Sequence, residues 1–211
     1  MLHTEIIGII AALVLPLLVQ GAKLRYMPFG DSITDYECWR AWIGLHSKTN
    51  CSSLDWDRDH EGHPGYQAAD IVAQNQLVDW LKQNPADIVT MHLGTNDICQ
   101  VSRKTPAIVA ALGTLIDQMR ASNPAMRIIM AQIIPLPAVA KAVQELNAAI
   151  PALAASKNST ASPIWLVDQW TNFTAADLKD GIHPSASGDV KMADGFYPAL
   201  VQAIKSLKAA A

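Results

Sequence analysis

The segment from Leu24 to Thr34 constrains the fold of this chain more than any other. An apolar run ends there in Gly30, and Asp31 and Ser32 follow directly. A glycine at the end of a parallel strand permits a tight turn, and the helix that follows offers its N-terminal N–H groups. Ser32 is therefore the candidate nucleophile of an α/β protein, although a serine that only caps the helix gives the same local pattern.

The rest of the chain alternates between apolar runs and segments with helical periodicity. Further strands are predicted at residues 87–94, 127–134 and 163–168, and helices at 66–83, 105–122, from 137 onward and at 186–208. Pro151 is expected to kink or end its helix, and Pro198 to mark a bend. Alternation without an internal repeat predicts one doubly wound α/β domain, with three α/β/α layers around a flavodoxin-like parallel sheet.

Composition limits the class of partner. The 211 residues are 50% hydrophobic, which is enough for one core, and the net charge is −3. No basic run is present, so the sequence argues against nucleic acid or an anionic membrane as a partner. Small or neutral substrates fit this composition better.

The N-terminus has the pattern of a signal peptide. Residues 6–19 are almost wholly apolar but too few to span a bilayer comfortably, and Gly21 and Ala22 follow. We expect a signal peptide over 1–21 and a mature, extracellular domain over 22–211 that has no membrane contact after cleavage. An N-terminal anchor helix is the alternative. Glycosylation sequons at Asn50, Asn158 and Asn172 are consistent with a eukaryotic secretory route.

The cysteines and histidines do not predict a metal site. Cys38, Cys51 and Cys99 are an odd set, so at most one internal bridge forms, and both Cys38–Cys51 and Cys51–Cys99 are open. His60, Glu61 and His63 do not have the spacing of a zinc helix, and a proline and two glycines nearby forbid a regular helix. We expect neither a metal nor another cofactor.

Four short blocks occur in order along the chain: Gly-Asp-Ser at 30–32, the loop glycine Gly65, Gly-Thr-Asn-Asp at 94–97 and Asp-Gly-Ile-His-Pro at 180–184. Their order resembles the SGNH (GDSL) hydrolase superfamily, whose signature residues are Ser, Gly, Asn and His. The blocks span essentially the whole expected mature chain. The resemblance implies a serine hydrolase on an α/β/α fold.

Each block supplies a group that ester hydrolysis requires. A serine hydroxyl needs a base within hydrogen-bond reach, which would be His183, and Asp180 would orient the histidine ring through its Nδ1 proton. The resemblance implies an oxyanion hole built from the backbone N–H groups of Ser32 and Gly65 and the side-chain amide of Asn96. Asp97 is expected to have a structural role.

Three segments narrow the resemblance further: Cys-Trp-Arg at 38–40, the loop at 60–66 and His-Leu-Gly-Thr-Asn-Asp at 92–97. They look like carbohydrate esterase family 3, which implies a secreted acetyl xylan esterase. The expected partner is an acetylated polysaccharide, the expected state is a monomer, and Arg40 would buttress the loops. A catalytically impaired carbohydrate-binding relative and a GDSL-type lipid esterase are the alternatives. His92, inside an apolar strand, is expected to be a core histidine.

The chain departs from the superfamily after Trp42. A crossover between parallel strands usually contains a helix and needs a dozen or more residues, and residues 39–43 are too short to supply one, while residues 55–65 have the composition of a loop. One expectation is therefore that the second strand and the helix before it are lacking, with residues 43–45 as the remnant of an edge strand. Such a loss would expose the first strand and remove a wall of the site.

Overall fold

The computed structural model describes residues 24–36, 38–45, 51, 55 and 57–208. Five parallel strands form one sheet in the order β2-β1-β3-β4-β5. The strands are β1 (Tyr26–Gly30), β2 (Glu61–Gly62), β3 (Ile88–His92), β4 (Arg127–Ala131) and β5 (Ile164–Val167). The expected signal peptide lies outside the described residues.

Helices cover both faces of the sheet. They are α1 (Ser32–Asp35), α2 (Trp39–Leu45), α3 (Ala68–Ala73), α4 (Gln76–Gln83), α5 (Thr95–Cys99), α6 (Thr105–Ser122), α7 (Ala140–Lys157) and α8 (Ala186–Lys208). Buried side chains of α3, α4, α6 and α7 form the core on one face, and those of α2 and α8 form the core on the other. The predicted three-layer, doubly wound α/β/α fold is confirmed. No helix in the described part of the chain is long and apolar enough to cross a bilayer.

Two helices differ from their predicted form. The helix expected over 66–83 is divided into α3 and α4, because Asn75 has a positive φ of 55° that a helix interior does not accept. The helix α7 continues through Pro151 instead of ending there. Pro151 leaves the carbonyl of Asn147 without its helical partner, and the Gln132 side-chain amide donates to that carbonyl at 2.8 Å. The helix α8 runs through Pro198, and its bounds are those predicted, 186–208.

The second strand and the helix before it are present but short, so the expectation that they are lacking is wrong. The strand β2 has only two residues, and it lies within the segment predicted to be a loop. It pairs with the end of β1, where Phe29 lies opposite Glu61 and Gly30 opposite Gly62. Residues 43–45 belong to α2, not to an edge strand.

The short helix α2 is held by aromatic packing. Trp39 is buried, stacks on Phe196 of α8 with ring centroids 4.9 Å apart, and donates from Nε1 to the Ile33 carbonyl at 2.8 Å. Arg40 donates to the carbonyls of Asp35 and Arg58, at 2.8 and 3.1 Å. These bonds join the helix that carries Ser32 to the chain leading into β2, which is the buttressing position expected for Arg40.

Cys38 and Cys51 form the disulfide. The other pairing left open by the sequence, Cys51–Cys99, does not form, and Cys99 is an exposed free thiol. Closing a loop of this length in the unfolded chain stabilises a protein by roughly 3 kcal/mol. The bridge joins Cys51, after α2, to Cys38, which directly precedes that short helix.

The shortness of β2 leaves space beside the first half of β1. A cavity of about 460 Å³ lies there, and its lining includes Tyr26, Met27, His60, Glu61 and Pro85. The first strand is nevertheless not exposed, because Met27 to Gly30 are buried and Tyr26 is half-buried, and β2 pairs with the half that leads to Ser32.

Gly62 permits the close approach of β2 to α1. A Cβ atom at this position would lie 2.6 Å from the backbone nitrogen of Asp35 and 3.0 Å from the backbone carbon of Thr34. We expect Gly62→Ala to lower the free energy of unfolding by roughly 1–3 kcal/mol, because backbone rather than a flexible side chain must move. Urea denaturation measures this change.

Gly113→Ala is the matched control. A Cβ atom there would lie 3.4 Å from Leu153 Cδ1, an ordinary contact, and alanine is favoured over glycine inside a helix. Its stability should be unchanged or slightly higher. Equal stability of the Gly62→Ala variant and the wild type would contradict the tight contact between β2 and α1.

Candidate active site

Ser32 is the first residue of α1, directly after the turn that ends β1. Asp31 caps this helix, because its Oδ1 accepts from the Ile33 N–H at 3.0 Å. The Ser32 side chain is largely buried, with the residue only 9% exposed. The sheet therefore holds the hydroxyl at the carboxyl end of its second strand in spatial order, where doubly wound folds place their sites.

His183 lies beside Ser32 although 151 residues separate them in the chain. Its Nε2 is 2.9 Å from Ser32 Oγ, and its Nδ1 is 2.7 Å from Asp180 Oδ2. The structure thus brings together the three residues that the sequence singled out as nucleophile, base and orienting carboxylate. In this geometry an Nδ1–H donates to the carboxylate, and Nε2 is left to accept from the serine hydroxyl.

The loop that carries His183 is anchored on α8. Asp177 Oδ2 accepts from Lys191 Nζ at 2.6 Å and from the Thr174 hydroxyl at 2.7 Å, and its Oδ1 accepts from the Ser187 hydroxyl at 2.8 Å. The Lys179 N–H donates to the His183 carbonyl at 2.9 Å. Although desolvation opposes the shift, the hydrogen bonds from Lys191, Thr174 and Ser187 lower the pKa of Asp177. This anchor was not predicted from the sequence.

Asp180 is held as a carboxylate by the turn it begins. Its Oδ1 accepts from the Ile182 N–H at 3.0 Å and from the His183 N–H at 2.7 Å. Burial alone would raise the pKa of this carboxyl, but the N–H groups and ring of His183, with the Ile182 N–H, lower it to about 2. The group that faces His183 Nδ1 is therefore ionised at neutral pH.

The segments that carry the predicted oxyanion donors follow the same edge of the sheet. Gly65 has φ +80°, a conformation that favours glycine, and the Asn96 Nδ2 donates to the Tyr66 carbonyl at 3.0 Å. This bond joins the Gly65 turn to α5. Among the described residues, no acceptor bonds the backbone N–H of Ser32 or of Gly65. An incoming oxyanion is an acceptor for both.

Asp97 has the structural role expected of it. It is fully buried, and its carboxylate accepts from the Ala68 N–H at 2.7 Å and from the Ala69 N–H at 3.3 Å, so it caps α3. Arg103 Nε lies 3.0 Å from its Oδ1. The same arginine donates to Gln67 Oε1 at 2.8 Å. Neither Arg103 nor Gln67 carries a motif, and sequence reasoning missed both.

Asp31 places a second buried carboxyl next to the nucleophile. Burial raises its pKa to about 7, although the Ile33 N–H and the nearby His183 ring oppose this shift. The motif residue is thus partly protonated near neutral pH, unlike Asp180. The different surroundings of Asp31 and Asp180 therefore give these two carboxyls different pKa values.

The remaining histidines that the structure describes have structural contacts. His92 is buried and accepts from the Ile134 N–H through Nε2 at 3.1 Å, as expected of a core histidine. His60 accepts from the Gly62 N–H and contacts Asp35, while His63 contacts Glu61 and stacks on Trp80. Within the described residues no group of His, Cys, Asp or Glu could hold a metal ion.

Comparison with known proteins identifies the family of this chain. Residues 29–190 match the model of the GDSL-like lipase/acylhydrolase family. The chain belongs to that family. It is an esterase or acylhydrolase of the SGNH type, and the predicted superfamily resemblance is confirmed. A search of curated proteins gave no match.

Solved structures of carbohydrate esterases are similar to this member of the GDSL-like family. A mutant acetyl esterase with an acetate ion is 32% identical with a TM-score of 0.83, and the match covers 88% of this chain and 100% of that one. A family 3 carbohydrate esterase from Talaromyces cellulolyticus is 33% identical with a TM-score of 0.81, covering 87% and 99%. That of Clostridium thermocellum is 26% identical with a TM-score of 0.72, covering 87% and 98%.

The contact between Asp180 and His183 generates a kinetic prediction. We expect Asp180→Asn to lower kcat for an acetyl ester by roughly 10²–10⁴, because the amide no longer holds the ring with its Nδ1 protonated. KM should change little. Steady-state kinetics on p-nitrophenyl acetate measure both constants.

Asp117→Asn is the control, since Asp117 is an exposed residue of α6 that pairs with Lys157. It should behave as the wild type. If Asp180→Asn retains a kcat within about threefold of the wild type, well inside the range expected for a triad carboxylate, Asp180 does not orient His183.

His92 makes stability depend on pH. Burial lowers its pKa to about 4, so the folded protein keeps the ring neutral where the unfolded chain protonates it, near pH 6.5. The unfolded state then binds more protons, and the free energy of unfolding falls as the pH falls from about 6.5 to about 4. The loss attributable to His92 is roughly 3 kcal/mol at pH 4.

The measurement is urea denaturation of the wild type and of His92→Gln at pH 7 and pH 4. The variant should lose less stability on acidification, and the difference between the two proteins isolates His92 because Asp31 and the other groups are common to both. Identical losses would show that His92 does not resist protonation in the folded state.

Proposed function

We propose that the protein is a secreted serine esterase that removes O-acetyl groups from xylan or a related plant polysaccharide through an acetyl-enzyme. The observation that carries the proposal is the line of contacts from Ser32 to His183 at 2.9 Å and from His183 to Asp180 at 2.7 Å. It supplies a nucleophile, a base and an orienting carboxylate in one place.

Acylation begins at the Ser32 hydroxyl. Its proton passes to His183 Nε2 as Oγ bonds to the acetyl carbon, and the carbonyl oxygen becomes an oxyanion. The protonated ring is stabilised by Asp180, whose pKa of about 2 keeps it negative. The Nε2 proton then moves to the sugar oxygen as the ester bond breaks, which leaves acetyl-Ser32 and a free sugar hydroxyl.

Hydrogen bonds stabilise the negative charge of the intermediate. The donors are the backbone N–H groups of Ser32 and Gly65 and one N–H of Asn96. Asn96 Nδ2 carries two hydrogens, and its bond to the Tyr66 carbonyl uses one of them. Donors fixed in advance stabilise the transition state without reorganisation.

Deacylation repeats these steps with water. His183 Nε2 takes a proton from a water molecule, whose oxygen bonds to the acetyl carbon of acetyl-Ser32. The Nε2 proton then returns to Oγ as the bond between Oγ and the acetyl carbon breaks, and acetate leaves. The proposed reaction uses only side chains and backbone of this chain.

Two features support an acetylated polysaccharide as the substrate. The similar solved structures include an acetyl esterase and family 3 carbohydrate esterases, at 32% and 33% identity. Tyr36 follows the helix of Ser32 and is 63% exposed, and Tyr66 follows Gly65 and is 38% exposed. Exposed aromatic rings beside the site suit the apolar faces of sugar rings.

Secretion and a monomeric state are both part of the proposal. The Cys38–Cys51 disulfide supports secretion, because disulfides persist in oxidising surroundings and are rare in the cytosol. The predicted signal peptide at 1–21 and the sequons at Asn158 and Asn172 point in the same direction, and both asparagines are exposed.

We expect Ser32→Ala to lower kcat for acetyl esters by roughly 10⁴–10⁶, because no nucleophile remains. Asn96→Ala should lower it by roughly 10²–10³, the cost of one oxyanion donor. The assay is acetate release from acetylated xylan by the purified protein, with p-nitrophenyl acetate as a second substrate. Ser156→Ala, on the exposed face of α7, is the control and should match the wild type.

The same assay separates the alternatives. Release that vanishes only with Ser32→Ala supports the esterase. A folded wild type that binds xylan but releases no acetate, and whose Ser32 is not labelled by a fluorophosphonate, is the catalytically impaired relative. Turnover of long-chain p-nitrophenyl esters above that of the acetate ester would identify a lipid esterase.

A further inference from the structure

The Asn96 amide has a defined direction in the site. Its Nδ2 donates to the Tyr66 carbonyl at 3.0 Å, and its Oδ1 accepts from Gln100 Nε2 at 3.0 Å. Rotating the amide by half a turn would place an oxygen against the Tyr66 carbonyl and an N–H₂ against the Gln100 N–H₂. Gln100 and Tyr66 therefore hold the remaining N–H of Asn96 in one orientation.

Gln100 is itself oriented by a chain of donors. Gln100 Oε1 accepts from Gln67 Nε2 at 3.3 Å, and Gln67 Oε1 accepts from Arg103 Nη2 at 2.8 Å. A glutamine amide is reversible in principle, because one end donates and the other accepts. Its direction must be set by a partner that is not reversible.

Arg103 is such a partner, since a guanidinium only donates. It is held by two carboxylates, Asp97 at 3.0 Å and Asp70 at 3.1 Å. At the other end of the chain the Tyr66 carbonyl only accepts. Every amide between these ends must therefore donate in the same direction, from Arg103 through Gln67 and Gln100 to Asn96.

Gln100 also lies near the turn that carries Gly65. A Cβ atom built on Gly65 would lie 3.7 Å from Gln100 Nε2. Gln100 therefore bonds one predicted oxyanion donor, Asn96, and lies beside the turn that carries another.

We propose that Gln100 is a positioning residue of this esterase, which fixes the Asn96 amide for the oxyanion through a one-way hydrogen-bond chain that starts at Arg103. The inference rests on the proposed function. Gln100 touches no reacting atom, and its effect on the rate passes through Asn96. Hydrogen bonds in such a chain polarise one another, so the N–H that Asn96 offers is also a stronger donor.

The test is a double-mutant cycle with Gln100→Met and Asn96→Ala, measured on p-nitrophenyl acetate. Methionine has nearly the shape of glutamine but does not donate to Asn96. We expect Gln100→Met to lower kcat roughly fivefold to tenfold with KM within about twofold, the effect of one lost hydrogen bond. In the Asn96→Ala background the same substitution should leave kcat unchanged.

The outcomes that overturn the proposal are distinct. Wild-type kcat for Gln100→Met, or a fall in kcat that persists in the Asn96→Ala background, shows that Gln100 does not act through Asn96. Gln202→Met, on exposed helix surface, controls for the substitution itself, and thermal unfolding checks that each variant is folded.

A structural readout keeps the inference separate from the proposed function. If the wild type turns over p-nitrophenyl acetate but not acetylated xylan, only the substrate is wrong and the cycle stands. If it cleaves no ester, the proposed function fails, and the inference is tested by the ¹⁵N side-chain amide signals of Asn96. They should shift and broaden in Gln100→Met, and unchanged signals would overturn the proposed positioning.

Discussion

Parallel pairing of β1 with a strand on each side is the constraint on which the site depends. Gly30 lies opposite Gly62 of β2 and opposite His92 of β3. Three segments therefore leave the sheet at one level, and they carry Ser32, Gly65 and Asn96. A shift of one residue in either pairing would turn the side chains of a strand to the opposite face and separate these groups.

The position of His183, the fourth residue of the candidate site, depends on a different interaction. Its loop leaves the sheet beyond β5 and is returned to Ser32 by the hydrogen bonds of Asp177 with α8. Asp180 then sets both the backbone and the ring of His183. The proposed catalytic geometry thus depends on contact between the sheet edge and the anchored loop. The helix α8 anchors the loop and also packs on α2.

A strand of only two residues, β2, is enough to complete the sheet beside β1. Two residues of β2 suffice because they pair with the half of β1 that precedes Ser32, and Gly62 lets them lie against α1. Trp39, Arg40 and the Cys38–Cys51 bridge fix the chain around them. The shortness of β2 leaves the cavity beside Tyr26 and Met27, which the proposed catalytic residues do not line.

Sequence alone determined the strands that end in polar turns, the long helix α6 and the four motif blocks. These follow from local periodicity and residue chemistry, which neighbouring positions carry by themselves. Only the tertiary structure decided the disulfide pairing, the break at Asn75, the passage of α7 through Pro151 and the strand at Glu61–Gly62. It also decided the chain from Arg103 to Asn96. Each of these depends on a contact between segments distant in the chain, such as the Gln132 bond that satisfies the carbonyl freed by Pro151. No local pattern encodes such a partner, because its energy exists only once the fold has brought the two segments together.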